Sequence, residues 1–414
     1  MKQMPHLKTV PALLFLLLAS ACTVCALSFP RLQNYEAGMD AAGKRFLVHA
    51  TIKGKPATLA LDTGAEGLVL FKPAAERLGL KLSDIPSDLG RENGKFPVLE
   101  TMPYDVTLFN TTGKLSLFVT DFSVRMDVDG IAGWPLFKNS TFQIDAAGRV
   151  VKSLPEVPQE AQQWTKLRVR RASNVLCLEI PGPHDTGVIL IDTGSYGGVS
   201  LNTERWRAWT NANPDRPKTL AVYYMGGSGV IVGEESWAEK FSLGALTLND
   251  VPIQAASPSD VATGSTHSPY QATLGLTALQ RLDFIVDGKA GIAYVRPRTG
   301  PFPPYPYNRA GAVFAPRDPG RDKSNELVAR VLEGGPAYEA GIRNGDTVIK
   351  LGEQWATNWT EGPTSASSTR PAGSKLELVL KRGEKTFNSV VVLRDLFPPA
   401  ASSTNEPAGA GIPK

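Results

Sequence analysis

Two short blocks of this 414-residue sequence place a carboxylate where it could do chemistry. ATLALDTGAEGLVLF, residues 57–71, and GVILIDTGSYGGVSL, residues 187–201, align without a gap at an offset of 130, so Asp62-Thr63-Gly64 falls on Asp192-Thr193-Gly194. Each Asp ends an apolar run, where a charge is costly unless hydrogen bonds satisfy it. The Gly two positions on lets a turn bring backbone N–H groups up to the carboxyl. The Thr between them can direct its hydroxyl into the other copy. Two such turns related by an approximate two-fold axis would set Asp62 beside Asp192. Carboxyls that close share one proton, so one is a general base for water while the other donates to a substrate carbonyl. That chemistry is amide hydrolysis without a covalent intermediate, a metal or a cofactor.

A second pair of blocks follows the first. IAGWPLFKNSTFQID, residues 131–145, aligns with TLGLTALQRLDFIVD, residues 273–287, at an offset of 142, so Gly133 falls on Gly275 and Asp145 on Asp287. The second copy therefore carries twelve extra residues, 142 less 130, between its two blocks, and the pattern is that of a duplicated domain. Around these landmarks the sequence reads as β. Residues 44–64 give strand, Gly-centred turn and a strand running into Asp62, and residues 173–194 repeat that hairpin. Short amphipathic helices are expected at Lys72–Leu78 and Thr203–Trp209. Two β lobes result, residues 44–150 and 165–296, with the polar, proline-containing residues 151–164 as the link.

These residues resemble the pepsin and retropepsin-like aspartic peptidases. Leu61-Asp62-Thr63-Gly64 with Ile131-Ala132-Gly133, and Ile191-Asp192-Thr193-Gly194 with Thr273-Leu274-Gly275, fit that family's strand-and-turn motif and the hydrophobic-hydrophobic-Gly segment passing beneath it. Ala132 and Thr273 depart mildly from the pattern. The resemblance covers about residues 44–296. It implies a mainly β acid-protease fold of two lobes, with Asp62 and Asp192 catalytic on one monomeric unit and Thr63, Gly64, Thr193, Gly194 and Ser195 supporting them. It also implies mobile flaps that close over a polypeptide substrate. Tyr224, Gly226 and Gly227 fit a flap in the second lobe, and Phe96 marks a weaker candidate in the first. Ala65 follows the first Gly where Ser195 follows the second. The Ser195 hydroxyl is expected to hydrogen-bond Asp192, making it the more readily ionised partner and Asp62 the proton holder. Ser195→Ala should then raise the lower limb of a pH–rate profile.

Beyond a proline-dense spacer at residues 297–308 the composition changes. Residues 309–396 resemble a PDZ domain: Gly334-Gly335-Pro336-Ala337 opens a helix, and Ala340-Gly341-Ile342 with Asn344-Gly345-Asp346 matches that family's turn. The resemblance implies capture of a peptide or protein ligand by strand addition at Gly311, Ala312, Val313 and Phe314. That stretch lacks the second glycine of the usual carboxylate loop, so internal or intramolecular peptides are as well suited as free C-termini. Residues 397–414 read as a disordered tail.

The N-terminal residues 1–26 read as a secretory signal, with Lys2 and Lys8 before the apolar stretch Ala12–Ala19. Cleavage after Ala21 or Ala26 would release the chain. Alternatively, the small residues before Cys22 resemble a bacterial lipobox, although Ala19 stands where Leu is usual, and would tether the chain at a lipidated Cys22. The address is extracytoplasmic, periplasmic or secreted, and residues 27–43 are either an ordered arm or a removable segment. Only Cys22, Cys25 and Cys177 are present, which excludes a disulfide framework. Four histidines without ligand spacing offer no metal site, and no G-x-S-x-G elbow supports a serine hydrolase. With 44 Lys and Arg against 40 Asp and Glu, the charge balance argues against nucleic acid as a partner. A 42% hydrophobic content is enough for a core and speaks against disorder. The rival reading keeps the same cleft and PDZ segment as a catalytically idle, peptide-binding scaffold.

Overall fold

The computed structural model describes residues 29–86, 99–121, 127–182, 186–225, 229–255, 270–316, 326–356 and 363–397. The architecture is mainly β. The expected signal, the flap candidates Phe96, Gly226 and Gly227, and residues 398–414 of the expected tail lie outside the described residues.

Leu59, Ala60 and Leu61 are buried because their strand, Lys55–Asp62, is central. Phe46–Ile52 pairs with it antiparallel on one side, and Gly130–Gly133 pairs with it parallel on the other, with Gly133 opposite Asp62. Leu68–Phe71 then closes antiparallel on Gly130–Ala132. The second half repeats the arrangement. Thr186–Ile191 lies between Cys177–Pro181, antiparallel, and Ala272–Leu274, parallel, and Val199–Leu201 closes antiparallel on the latter. Close approach explains why each second block contains glycine. A Cβ at Gly133 would come within 2.5 Å of the Gly67 carbonyl oxygen, and one at Gly275 within 2.5 Å of that of Gly197. A helix follows each closing strand. Lys72–Leu78 has the expected bounds and stops at Gly79 in the left-handed region. Thr203–Ala212 outruns its expected end at Trp209, and Asn202 caps it by accepting from the Arg205 N–H at 2.9 Å.

Thr141–Asp145 and Leu282–Asp287 pair antiparallel with Gln143 opposite Ile285, its counterpart at the 142-residue offset. Equivalent strands of the two copies thus meet directly, and one apolar core runs from Leu32 through Phe142 and Phe284 to Val295. Residues 151–164 are more than the link expected from their polarity. Val150–Ser153 pairs with Thr141–Asp145 on one side and Glu36–Gly38 on the other, and Ala161 is fully buried against Ile285 and Tyr294. The alternation of Val151 with its polar neighbours suits an inner strand, whereas proline content alone suggested a connector. The described part of the 27–43 segment is an ordered arm, with Leu32, Tyr35 and Ala37 in the core.

Residues 310–393 form a third unit with its own core, from Ala310 to Leu393, around a six-stranded sheet. Its elements include, in order, Ala312–Pro316, Leu327–Val331, the short helix Pro336–Glu339, Thr347–Leu351, and the hairpin Lys375–Arg382 with Lys385–Val392. The proline-dense segment before it is not a free spacer, and this corrects the sequence expectation. Asn308 Nδ2 donates to the carbonyls of Leu220 and Ala312, each at 2.8 Å, while its Oδ1 accepts from Ala310 N–H. Thr219 Oγ1 donates to the Asn308 carbonyl at 2.6 Å. Phe397, expected to begin the tail, is 4% exposed and packs with Tyr307 and Trp237. Local sequence cannot show that a proline-rich segment docks, because its partners in the second half, Leu220 and Thr219, lie 88 and 89 residues from Asn308.

Asn308 therefore fastens the third unit. Asn308→Ala would orphan buried carbonyls and is expected to cost about 1–3 kcal/mol, read as a lower urea midpoint at unchanged m-value.

Candidate active site

The loop after Asp62 and the loop after Asp192 meet through four hydrogen bonds. Thr63 N–H donates to Thr193 Oγ1 at 3.0 Å, and Thr193 N–H donates to Thr63 Oγ1 at 3.2 Å. Each hydroxyl then donates across to the other copy, Thr63 Oγ1 to the Ile191 carbonyl at 2.6 Å and Thr193 Oγ1 to that of Leu61 at 2.9 Å. Both threonines are fully buried, so these bonds are made away from water and each carries its full desolvation stake. The network puts the two Asp turns face to face.

The glycines complete the approach. A Cβ on Gly64 would lie 3.0 Å from Cγ of Asp192, and one on Gly194 would collide with the Asp62 carboxyl. Each carboxyl thus rests against the glycine of the opposite turn, close enough for the charge of one to act on the other. Both residues keep partial exposure, enough for water to reach them. Burial first, and then the Asp192 charge, holds Asp62 well above the usual carboxylate range. Burial also raises Asp192, but the neighbouring Asp62 carboxyl and two backbone N–H groups oppose it. Those donors are Gly194 at 2.9 Å and Ser195 at 3.0 Å, both to Oδ1. Asp62 Oδ1 receives Gly64 N–H at 2.8 Å, while Ala65 N–H turns to the Asp62 main-chain carbonyl.

The sequence expectation put the Ser195 hydroxyl on Asp192. The donor from Ser195 is instead its backbone N–H, which alanine would also supply. The sign of the linkage follows from both shifts being upward. The folded pair keeps a proton at pH values where the unfolded carboxyls have lost theirs. The associated stability is complete below the ordinary carboxylate range and declines as pH rises through the raised values.

The structure therefore brings together Asp62, Thr63, Gly64, Asp192, Thr193, Gly194 and Ser195. Tyr224 lies in the hairpin Lys218–Met225 with Gly229–Leu243, where it pairs with Val230. Gly311, Ala312, Val313 and Phe314 are elsewhere, at the start of the third unit, and all four are buried. Their strand lies beside the hairpin strands Lys218–Met225 and Gly229–Leu243, and Val313 and Ala315 are buried although they are outside the unit's own core. The open sheet edge expected from the sequence is thus not presented, because the hairpin covers it.

Sequence reasoning missed a polar cluster next to Asp192. Tyr196 stacks on Tyr305 of the proline-rich segment at 6.2 Å between centroids, and Tyr305 OH donates to Glu235 Oε1 at 2.6 Å. Arg281, 1% exposed, lies over the Phe302 ring at 4.6 Å and donates to the carbonyls of Asp250 and Thr277. One signal was available. Period-two alternation puts Glu235 on the same face as Trp237, and a carboxylate on an apolar face needs a partner.

Among known families, the aspartyl protease model matches residues 48–107, the stretch that contains Asp62-Thr63-Gly64. No curated protein matches the chain. The match supports an aspartic-peptidase-like family and suggests a peptide hydrolase.

The threonine network is open to a direct check. Thr63→Val orphans Thr193 N–H and the Ile191 carbonyl, and Thr193→Val orphans Thr63 N–H and the Leu61 carbonyl. Each variant is expected to lose about 1–3 kcal/mol per orphaned group in denaturant unfolding.

Proposed function

We propose that this chain is an exported aspartic endopeptidase in which Asp62 and Asp192 act as one catalytic pair. The observation that carries the reading is the close approach of the two carboxyls, each seated against the glycine of the other turn. Asp192, with two backbone donors on one oxygen, is the ionised partner and takes a proton from a water as that water attacks the substrate carbonyl carbon. Asp62 is protonated and gives its proton to the carbonyl oxygen, so the tetrahedral intermediate forms as a neutral diol. Collapse returns a proton to Asp62 from one diol hydroxyl while Asp192 passes its proton to the amide nitrogen, and the C–N bond breaks. The pair ends in its starting state.

The two copies act as lobes related by an approximate two-fold axis, a reading supported by the offset pairing of Gln143 with Ile285. The hairpin Lys218–Leu243 serves as the flap on the second lobe. The third unit is a PDZ-like module, and its strand beside the hairpin favours a role in governing the flap over capture of a ligand at an open edge. The N-terminal leader directs export, with or without lipid at Cys22.

Hydrolysis of an unfolded protein across about pH 3 to 8 tests the reading. Asp62→Asn and Asp192→Asn are each expected to lower kcat by at least about 10²–10⁴-fold, the usual weight of general acid–base catalysis. Binding without cleavage by the parent chain would instead mark the idle scaffold. Because the N–H of residue 195 is the donor, Ser195→Ala should leave the acidic limb of the pH–rate profile in place. A displaced limb would return the asymmetry to the hydroxyl.

A further inference from the structure

A row of buried polar side chains crosses four strands beside the Asp192 turn. Ser200 is opposite Gln254, Gln254 is opposite Glu235, and Glu235 is opposite Thr219, each pair in register on neighbouring strands. Directly opposed residues point to the same face and set their Cβ atoms about 4.5–5.5 Å apart. Thr219, Glu235 and Gln254 are 0%, 1% and 4% exposed. Gln254 Nε2 donates to Ser200 Oγ, but Gln254 Oε1 is buried with no partner among the described residues. Glu235 Oε1 accepts from Tyr305 OH, and the carboxyl stands opposite Gln254 in register. One proton resolves both deficits. On Glu235 it removes a buried charge and supplies the donor that Gln254 Oε1 lacks.

The cluster closes on the catalytic turn. The Gln254 amide sits against Gly197, where a Cβ would come within 3.1 Å of Nε2, and Tyr305 stacks on Tyr196. The turn from Asp192 through Gly197 is therefore braced twice, by Gln254 from the sheet and by Tyr305 from the connector, and Glu235 is bonded to the second brace and opposite the first in register.

We propose that Glu235 is a positioning residue that works in its protonated form, donating to Gln254 Oε1 while accepting from Tyr305, and so holds the Tyr196–Gly197 turn behind Asp192. The consequence for catalysis rests on the peptidase reading, whereas the protonation state does not. The groups facing Glu235 are the Tyr305 hydroxyl from the connector and Thr219 and Gln254 from the flanking strands. Arg281 lies under the neighbouring Phe302, Asp250 is held by Trp237 Nε1, and the Lys218–Glu234 pair occupies the opposite face of the hairpin. Burial accordingly pushes the Glu235 carboxyl from 4.5 up to about 7, against the opposing hydrogen bond from Tyr305. The raised value means that the brace contributes fully below about 4.5 and is lost as pH rises through about 7. Above that, two acceptors oppose one another in the interior.

The test compares the full chain with Glu235→Gln, whose amide keeps an acceptor for Tyr305 and a donor for Gln254 at every pH. In the infrared difference between the two proteins, a protonated carboxyl band is expected that disappears near pH 7. Glu235→Gln is expected to melt with the parent below about pH 5 and at a higher temperature than the parent above about pH 7. Its kcat should lose the limb near 7 while the limbs set by Asp62 and Asp192 stay. An ionised Glu235 throughout the range would overturn the proposal and mean that the Gln254 amide is reversed, with Nε2 donating to the carboxylate. Superimposable kcat–pH profiles for the two proteins would overturn the positioning role. If the parent cleaves nothing, the infrared and melting comparisons still decide the protonation claim, so the two readings fail separately.

Discussion

Everything in the candidate site depends on the reciprocal bonding of Thr63 and Thr193. A serine could offer the same oxygen, but threonine restricts χ1 and so fixes the direction of the hydroxyl. With four bonds made in a dry interior, the two turns cannot drift apart without exposing N–H and C=O groups to an apolar environment. The lock joins residues that are 130 apart in sequence, and it is reinforced by the antiparallel pairing of Thr141–Asp145 with Leu282–Asp287. The duplicated halves therefore meet twice, once at the site and once beneath it, with a shared core between.

That rigid frame makes an unfavourable charge arrangement tolerable. Two recessed carboxyls in contact would separate if the chain could yield. Because it cannot, the pair responds by holding a proton instead. The main chain meets the two carboxyls differently, since the Ser195 N–H reaches the Asp192 carboxylate while the Ala65 N–H turns to the Asp62 main-chain carbonyl. Glu235 shows the same logic away from the pair. In both places burial disfavours ionisation, and the neighbouring donors and acceptors decide how the proton is used.

The third unit joins this frame without sharing its core. Asn308, Tyr307 and Phe397 secure it to the second half, and its first strand lies beside the hairpin that ends the large sheet. Two terminal strands meeting in this way shield edges that would otherwise be open to pairing with other chains. The same contact ties whatever happens at the Ala312–Pro316 strand to the hairpin.

The two Asp-Thr-Gly blocks, their offsets, the flanking strands and the helix Lys72–Leu78 were legible in the sequence, because apolar periodicity and turn glycines act over a few residues. The need for glycine at 133 and 275 was legible only as a pattern, and its reason, the approach of the Gly67 and Gly197 carbonyls, belongs to the folded chain. Residues 151–164 and 297–308 were misread for the same cause. Proline and polarity describe how a segment behaves alone, whereas Ala161, Tyr305 and Asn308 are placed by partners far along the chain. The sequence by itself thus determined that two carboxylates would end two equivalent strands. Only the tertiary structure decided that the two turns face one another through the Thr63 and Thr193 bonds, and that Glu235 and Tyr305 stand close to the turn that follows Asp192, because electrostatics and buried hydrogen bonding depend on distances in space that no local pattern encodes.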